Sequence, residues 1–381
     1  MKILLIGEYS RLHNSLKEGL EHLGHNVTII GCGDYFKNYP VDIKLNLKYQ
    51  SGFSQFIKRV IYKILKIDLT SLSIKHQVNQ LKPKLTGYDV VQLINENAFS
   101  TIPNVEKTLL QFIFKNNKNV FLMSCGTDYT SVNFAINNGF RYSILTPYFE
   151  GKESKKAFWY ALKFTSKPYE DLHNYIYKNI KGIIASDLDY HIPLLTTSKY
   201  LGLIPNPINT DTLKYTPLEL SNKIIIFHGI NTSKYYQKGN DFFDKALDLL
   251  KEKYSNKIEI IRTTDLPYEE YISVFNKAHI VLDQVYAYDQ GFNALEAMAK
   301  GKVVFTGAEQ EWLEYYNIKE NTVAINALPD AQSIYKSLEW LITNPETLIT
   351  ISKNARTFVL EKHNYIQSAK HYLNVWQKAA S

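Results

Sequence analysis

Cysteine is scarce in this chain, with only Cys32 and Cys125 among 381 residues. Two thiols cannot form a disulfide framework, and such sparing use fits a reducing compartment. They show no metal-ligand spacing, and no His/Cys cluster stands elsewhere, which fits an expectation of no metal or other cofactor. No G-x-G-x-x-G follows the first apolar run, which removes the nicotinamide fingerprint. Long apolar runs are also missing. None approaches the roughly 20 residues that span a bilayer, and the run in MKILLIGEYS is too short for a secretory leader. The expected location is therefore cytoplasmic, with peripheral attachment to the inner face of the cell membrane as a variant. Acidic residues are outnumbered, 37 against 44 Lys and Arg, for a net charge of +7. That balance favours anionic partners such as phosphates, nucleic acid or an anionic membrane. No nucleic-acid motif accompanies it, which argues against DNA or RNA. The length suffices for two domains with cores of their own.

What is present is an alternation of apolar strands and amphipathic helices. Lys2–Ile6 reads as a strand that ends at Gly7. A helix follows over Leu12–Leu23, with Leu12, Leu16, Leu20 and Leu23 on one side, and then a strand over Asn26–Ile30. This is the opening of a doubly wound α/β domain. Its first loop carries Gly7, Glu8, Ser10 and Arg11; Ser10 reads equally well as a helix N-cap. Further strands read over Tyr88–Ile94, Asn119–Ser124 and Ile180–Ala185. The second of these ends in Cys125-Gly126-Thr127-Asp128. Ligands of open α/β sheets bind outside the carboxyl ends of strands, which makes Asp128 a site candidate. Capping of the next helix or turn is its structural alternative.

The second half repeats the alternation. Lys223–Phe227 is a strand ending in His228-Gly229, and Lys238-Gly239 opens a helix over Asn240–Leu250. Lys257–Ile261 is a strand followed by the loop Arg262–Asp265, and Tyr268–Asn276 is a helix. Pro329–Leu341, Glu346–Leu360 and Tyr365–Lys378 close the chain as helices. Between them lies the most informative stretch, DQVYAYDQGFNALEAMAKGKVVFT over Asp283–Thr306. An apolar strand, Ala278–Leu282, runs into a polar loop over Gln284–Gln290. Gly291 opens a helix over Phe292–Ala299, Lys300-Gly301 ends it, and Val303–Thr306 is the next strand. A helix N-terminus behind a glycine turn offers N–H groups and partial positive charge to a phosphate. Glu296, one turn in, can accept hydrogen bonds from sugar hydroxyls or simply steady the first turn.

Two segments are basic and aromatic. Phe53–Lys84 carries Lys58, Arg59, Lys63, Lys66, Lys75, Lys82 and Lys84 against one acid, Asp68. Phe53, Phe56, Ile57, Val60, Ile61 and Ile64 recur in it at helical spacing. A basic amphipathic helix is a candidate for a membrane surface, and otherwise a helix packed on its domain with a solvated basic face. Lys155–Lys167, KKAFWYALKFTSK, is the second such segment.

The run G-F-N-A-L-E-A-M-A-K-G-K-V-V resembles the donor-site motif of retaining glycosyltransferases of family 4. There the pattern is E-x-x-G-x-x-x-x-E-A-M-A-x-G-x-P-V. Gly291 and Glu296 match its glycine and second glutamate, and the first glutamate falls on Tyr288, with Asp289 beside it. Asp283-Gln284 resembles the subgroup that carries D-Q there. Leu203-Ile204-Pro205-Asn206-Pro207-Ile208-Asn209-Thr210 is similar to the I-P-N-G-V-D-T linker between the family's domains. Lys238-Gly239 matches its K-G, while the arginine of its G-R falls on Ile230. The Gly126-Thr127-Asp128 strand end is similar to G-S-D or G-T-D at the family's cleft.

The resemblance implies the α/β fold called GT-B, two Rossmann-like doubly wound domains facing a cleft. The expected domains are 1–205 for the acceptor and 206–362 for the nucleotide sugar, with 363–381 as a terminal helix returning to the first domain. It implies sugar transfer from a nucleotide-diphosphate sugar with retention of configuration, the acceptor being a lipid-linked or growing bacterial surface polysaccharide. Expected donor contacts are Gly7, His228, Gly229, Lys238, Thr263, Asp283, Tyr288, Asp289, Gly291, Phe292, Asn293 and Glu296. Expected acceptor contacts are Glu8, Ser10, Arg11 and Asp128, with Lys238 and Asp128 the catalytic candidates. The alternatives are a UDP-GlcNAc epimerase of the same fold and a non-catalytic nucleotide-sugar-binding protein.

Overall fold

The computed structural model describes residues 1–34, 38–220, 222–266 and 268–381. The chain divides into two compact units. The first comprises Met1–Asn133, Tyr160–Pro207 and Tyr365–Ser381; the second comprises Phe134–Trp159 and Ile208–Asn364.

Seven parallel strands among the described residues form the sheet of the first unit. They are β1 (Lys2–Ile6), β2 (Asn26–Gly31), β3 (Ile43–Lys44), β4 (Val90–Leu93), β5 (Val120–Ser124), β6 (Gly182–Ala185) and β7 (Tyr200–Leu203). Their spatial order is β3-β2-β1-β4-β5-β6-β7. A parallel sheet covered on both faces calls for continuous apolar runs rather than alternation. Accordingly Ile3, Leu4, Leu5 and Ile6 are all fully buried. The Leu12–His22 helix buries Leu12, Leu16 and Leu20 against the sheet.

The last helix of the chain, Tyr365–Ala380, packs along Leu12–His22. Gly19 permits that approach, because a Cβ there would lie 2.3 Å from the Tyr365 carbonyl oxygen. Trp376 anchors the same helix. Its ring is fully buried beside Phe121 and Tyr372, and its Nε1 donates to Gln92 Oε1 at 3.0 Å. Gln92 lies inside β4, so an indole donor answers a polar side chain in an otherwise apolar sheet.

Five parallel strands form the sheet of the second unit among the described residues. They are β8 (Ile224–Ile230), β9 (Ile258–Thr264), β10 (Ile280–Leu282), β11 (Val303–Thr306) and β12 (Ile325–Asn326), in the order β12-β11-β10-β8-β9. The core gathers Ile226, Phe243, Leu247, Ile280, Leu282, Val303, Phe305 and Leu338. Strands β8 and β9 each run three residues beyond their apolar runs. His228, Gly229 and Ile230 belong to β8 and pair in register with Arg262, Thr263 and Thr264 of β9. Thr263 therefore sits in a strand and not in the expected loop. Ladder bonds to a neighbour hold polar residues extended where the apolar pattern has ended.

Residues Phe134–Trp159 come from the first half of the chain and belong to the second unit. Polar bonds fasten them there. Arg141 donates to Glu309 at 2.6 Å and to Glu311 at 2.6 Å, the Tyr142 hydroxyl donates to Glu309, and Lys152 lies 3.3 Å from Asp241.

Trp376→Ala removes both the indole packing and the donor to Gln92. It should destabilise the first unit by about 3–5 kcal/mol, read as a lower urea midpoint. A shift within experimental error would show that the terminal helix is not held at this point.

Candidate functional site

Both sheets reverse direction once. In the first unit the strand order turns between β1 and β4, and in the second between β8 and β10. The crevice outside the carboxyl ends of such strands is where open α/β sheets take ligands. Each reversal collects a set of the residues singled out above.

In the second unit Asp283 follows β10 directly. It is 4% exposed, and its backbone N–H is fixed on Phe305 O at 2.9 Å. Its Oδ1 accepts from Lys238 Nζ at 3.0 Å and from Asn293 Nδ2 at 2.9 Å, and its Oδ2 from Thr306 Oγ1 at 3.4 Å. A buried carboxylate needs such partners, and here they come from three separate segments. Lys238 stands just before the helix Asn240–Tyr254, with its side chain 30% exposed. Its carbonyl accepts from Val285 N at 3.0 Å, tying the Lys238 turn to the loop after β10. Asn293 is the second residue of the Phe292–Ala299 helix, whose N-cap is Gly291. That first turn has N–H groups without intrahelical acceptors.

Gly291 has extended backbone, and a Cβ there would touch only Gln284 Nε2 at 3.9 Å. Local packing therefore does not demand the glycine; its effect is to leave the helix end uncovered by a side chain. Phe292, Asn293 and Glu296 are each partly exposed on this helix. His228 is fully buried at the end of β8 and meets Asn240 Oδ1 through Nε2 at 2.9 Å. Gly229 and Thr263 face each other across the β8–β9 ladder.

Tyr288 and Asp289 are placed differently from the donor role expected of them. Both are 2% exposed. The Tyr288 hydroxyl accepts from Arg141 N at 2.8 Å, the Arg141 guanidinium lies 4.8 Å from its ring centroid, and the rings of Phe140 and Tyr142 pack on it at 5.1 and 5.6 Å. Asp289 Oδ1 accepts from Gln290 N at 2.7 Å. In this structure Tyr288 anchors the Phe134–Trp159 segment. A tyrosine suits that task because it supplies both an apolar face and a hydrogen-bonding tip.

In the first unit β1 ends at Gly7, whose φ of 88° lies in the left-handed region. A Cβ at Gly7 would lie 2.1 Å from Ile94 Cγ2, so the glycine permits the turn to pass close to the end of β4. Glu8 is 2% exposed. Its Oε2 accepts from Asn14 N at 2.8 Å and Asn14 Nδ2 at 2.6 Å, while Oε1 has no hydrogen-bond partner. Burial pushes the Glu8 carboxyl up to about 8. His13 lies behind it, fully buried, and burial pushes it down to about 4. Its Nδ1 is 2.7 Å from Gly7 O. A neutral ring facing a carbonyl must donate through that nitrogen, which leaves Nε2 an acceptor without a partner.

Ser10 and Arg11 both have positive φ, 50° and 72°. Two consecutive non-glycine residues in this region store strain that the surroundings must hold. Ser10 N donates to Asp34 Oδ2 at 2.9 Å, and the N-cap is Arg11, with no side-chain cap, in place of Ser10. Arg11 turns along the helix to Glu18 at 2.8 Å.

Asp128 fills the capping role. Its Oδ1 accepts from Ser131 N at 2.7 Å, its Oδ2 accepts from the Ser124 hydroxyl, and it is 3% exposed. Beside it stand residues of the polar loop Asn95-Glu96-Asn97. Asn95 Nδ2 donates to Cys125 O at 2.7 Å and to Thr127 O at 3.0 Å. Glu96 Oε1 is 2.6 Å from His173 Nδ1, and Oε2 accepts from Tyr129 N at 3.1 Å. Burial raises the Glu96 carboxyl above its ordinary range. The signal for these residues was available: Asn95-Glu96-Asn97 directly follows the apolar run of β4. Only the sheet order shows that β4 borders the reversal.

The triplet Asp187-Leu188-Asp189 has the Asp-x-Asp form that can hold a metal, and the metal-free expectation passed over it. Here Asp187 Oδ1 accepts from Asp189 N at 3.1 Å and caps the Leu188–Leu194 helix. Among the described residues no group of three or more His, Cys, Asp or Glu side chains is arranged to hold a metal ion.

Residues 237–374 match the model of a family described as Glycosyl transferase-like. No curated protein matches the chain. Among solved structures the chain is similar to sucrose-phosphate synthase from Thermosynechococcus elongatus, with 15% identity, a TM-score of 0.62 and both chains covered in full. It is similar to HepE of Anabaena in complex with UDP and glucose, with 14% identity and a TM-score of 0.59, covering 99% of this chain and 100% of that one. It is similar also to a glycosyltransferase from Rickettsia africae ESF-5, with 14% identity and a TM-score of 0.55, covering 99% and 98%. The chain thus has the GT-B fold of glycosyltransferases, two parallel-sheet α/β units in one chain.

The raised Glu8 carboxyl gives a pH test. The unfolded chain releases this proton near 4.5 and the folded protein near 8. Between those values the folded state holds the extra proton, so stability falls as pH rises through the window. Glu8→Gln mimics the protonated acid and should melt progressively higher than wild type from about pH 5 to about pH 9, by several degrees at the upper end. Parallel melting curves across that range would show that Glu8 is ionised at no cost.

Proposed function

We propose that the protein transfers a sugar from a nucleotide-diphosphate donor to an acceptor hydroxyl with retention of configuration, as a metal-independent enzyme of the family 4 type that carries D-Q before the donor loop. The observation that carries this reading is the Asp283 hub. One buried carboxylate orients Lys238 Nζ and Asn293 Nδ2 beside the open N-terminus of the Phe292–Ala299 helix. An ammonium and a helix N-terminus together suit a diphosphate. Support comes from the Glycosyl transferase-like match over 237–374, which contains the hub, and from HepE, a protein of this fold solved with UDP and glucose.

In the reaction proposed, the bond between the anomeric carbon and the diphosphate oxygen breaks. The acceptor oxygen bonds to the same face of that carbon, and its proton passes to the departing phosphate. Negative charge grows on the leaving group, and Lys238 with the Gly291–Asn293 turn stabilises it where water would otherwise be needed. Glu296 takes the ribose hydroxyls, while Gly229 and Thr263, at the end of β8 and β9, border the base and phosphates. The acceptor is assigned to the first unit at the Gly7 turn, with Glu8, Ser10, Arg11 and the Asp128 strand end. Its class is a lipid-linked or growing bacterial surface polysaccharide, of capsule or lipopolysaccharide type, met at an anionic membrane surface. The basic segments favour that class. No helix among the described residues is long and apolar enough to cross a membrane.

Calorimetry with UDP tests the donor site. Glu296→Gln keeps the shape and loses the charge; hydrogen bonds to a charged group contribute about 1.5–3 kcal/mol, so UDP affinity should fall about one to two orders of magnitude. Lys238→Ala should lower turnover more than binding, because its partner charge grows in the transition state. Equal UDP affinity of wild type and Glu296→Gln would remove Glu296 from the site. Turnover with mixed nucleotide sugars separates transfer or hydrolysis from epimerisation and from simple binding.

Chelation tests the absence of a metal. Full activity should persist in EDTA, and loss of activity restored by Mg²⁺ or Mn²⁺ would overturn the metal-independent reading.

A further inference from the structure

The helix Gly52–Leu65 turns its apolar side away from the protein. None of its residues is buried, and Phe53, Phe56, Ile64 and Leu65 are 77%, 62%, 71% and 60% exposed. At 3.6 residues per turn Phe53, Phe56, Ile57, Val60 and Ile64 form one stripe. The half-buried positions Ser54, Gln55, Lys58 and Ile61 lie about a quarter to nearly half a turn away and mark the side that faces the rest of the first unit, where the helix meets Leu69–Leu81. Lys58 fixes this rotation. Its Nζ lies 3.4 Å from Asp68 Oδ2, and Asp68 Oδ1 caps the next helix by accepting from Ser71 N at 2.7 Å. Lys58 is thus engaged inward, while Arg59 and Lys63 are exposed on the other flank of the stripe and Lys66 is exposed at its end. An amphipathic helix on a globular unit ordinarily points its apolar stripe at the core. This one is held with the stripe outward.

We infer that Gly52–Leu65 is an interfacial anchor that lies in the headgroup boundary of an anionic bilayer. Phe53, Phe56, Ile57, Val60 and Ile64 enter the acyl region, and Arg59, Lys63 and Lys66 meet the headgroups. Charge complementarity selects this occupant. The stretch from Gly52 to Lys66 has four basic residues and no acid, so pairing with a second copy would set cation against cation. A bilayer with anionic lipid supplies apolar depth and negative charge together. The assignment deepens the membrane part of the proposed function and is independent of the donor chemistry.

The test is co-sedimentation of the full chain with phosphatidylglycerol and with phosphatidylcholine vesicles. Wild type should bind the anionic vesicles. The triple variant Phe53→Ser, Phe56→Ser, Ile64→Ser should bind at least tenfold more weakly at both low and high salt. Arg59→Gln with Lys63→Gln should weaken binding at low salt and flatten its salt dependence. Phe53→Trp should show blue-shifted emission that brominated lipid quenches. All these positions are exposed, so the circular dichroism melt and UDP affinity should match wild type. No wild-type binding to phosphatidylglycerol at low salt, or equal binding by the triple variant, overturns the anchor. A wild-type dimer that the triple variant converts to monomer, without vesicle binding, assigns the face to a second copy and overturns it too. Absence of UDP binding by wild type would sink the donor reading and leave the vesicle result standing.

Discussion

The contact on which the second unit's site depends is a buried carboxylate. Asp283 directly follows β10 with almost no exposure, and burying a carboxyl side chain is expensive unless hydrogen-bond donors meet it. Lys238, Asn293 and Thr306 meet that demand. They come from the turn before one helix, the first turn of another and the end of the neighbouring strand. Satisfying one aspartate therefore fixes the relative positions of three segments, including the helix end that faces outward. Lys238 has three donors; two go to Asp283, to Oδ1 at 3.0 Å and to the backbone O at 3.4 Å, which orients it and leaves one to spare. The role of Asp283 is one of positioning, through the groups that it holds.

The same economy explains Tyr288. Its phenol, the ring stack with Phe140 and Tyr142, and the Arg141–Glu309 pair hold residues Phe134–Trp159 on the second unit. Arg141 is about half exposed and Glu309 is not, so the pair contributes most by satisfying the buried carboxylate; the exposed Glu311 contact adds little. A position that carries an acid in the resembling family has here become a packing anchor for a segment 147 residues away in the chain.

The first unit follows the opposite strategy at its own strand reversal. Glu8 and Glu96 are buried carboxyls with raised proton affinity, and His13 is a buried imidazole held neutral. Burial favours the uncharged form of each of these three groups. The strain of Ser10 and Arg11 falls on the same turn.

By itself the sequence determined the alternation of strands and helices, the glycine turns after β1 and before the Phe292–Ala299 helix, and the basic amphipathic stretch at Gly52–Leu65. These are local: apolar periodicity, glycine and capping residues act within a few positions, so they are legible without contacts. The stretch from Asp283 to Glu296 was legible as a candidate site for the same reason. What only the tertiary structure decided depends on residues distant in the chain. The strand order brought Asn95 and Glu96 onto the Cys125–Tyr129 segment, which no local pattern announces. Ladder pairing carried β8 and β9 past their apolar runs and put Thr263 in a strand. Partner choice turned Asp283 into a hub, Tyr288 into an anchor and Asp128 into a cap. The ion pair from Lys58 to Asp68 set the rotation of a helix whose amphipathicity was plain but whose outward face was not. Periodicity specifies that a helix has two faces; the packing of the rest of the chain specifies which one is covered.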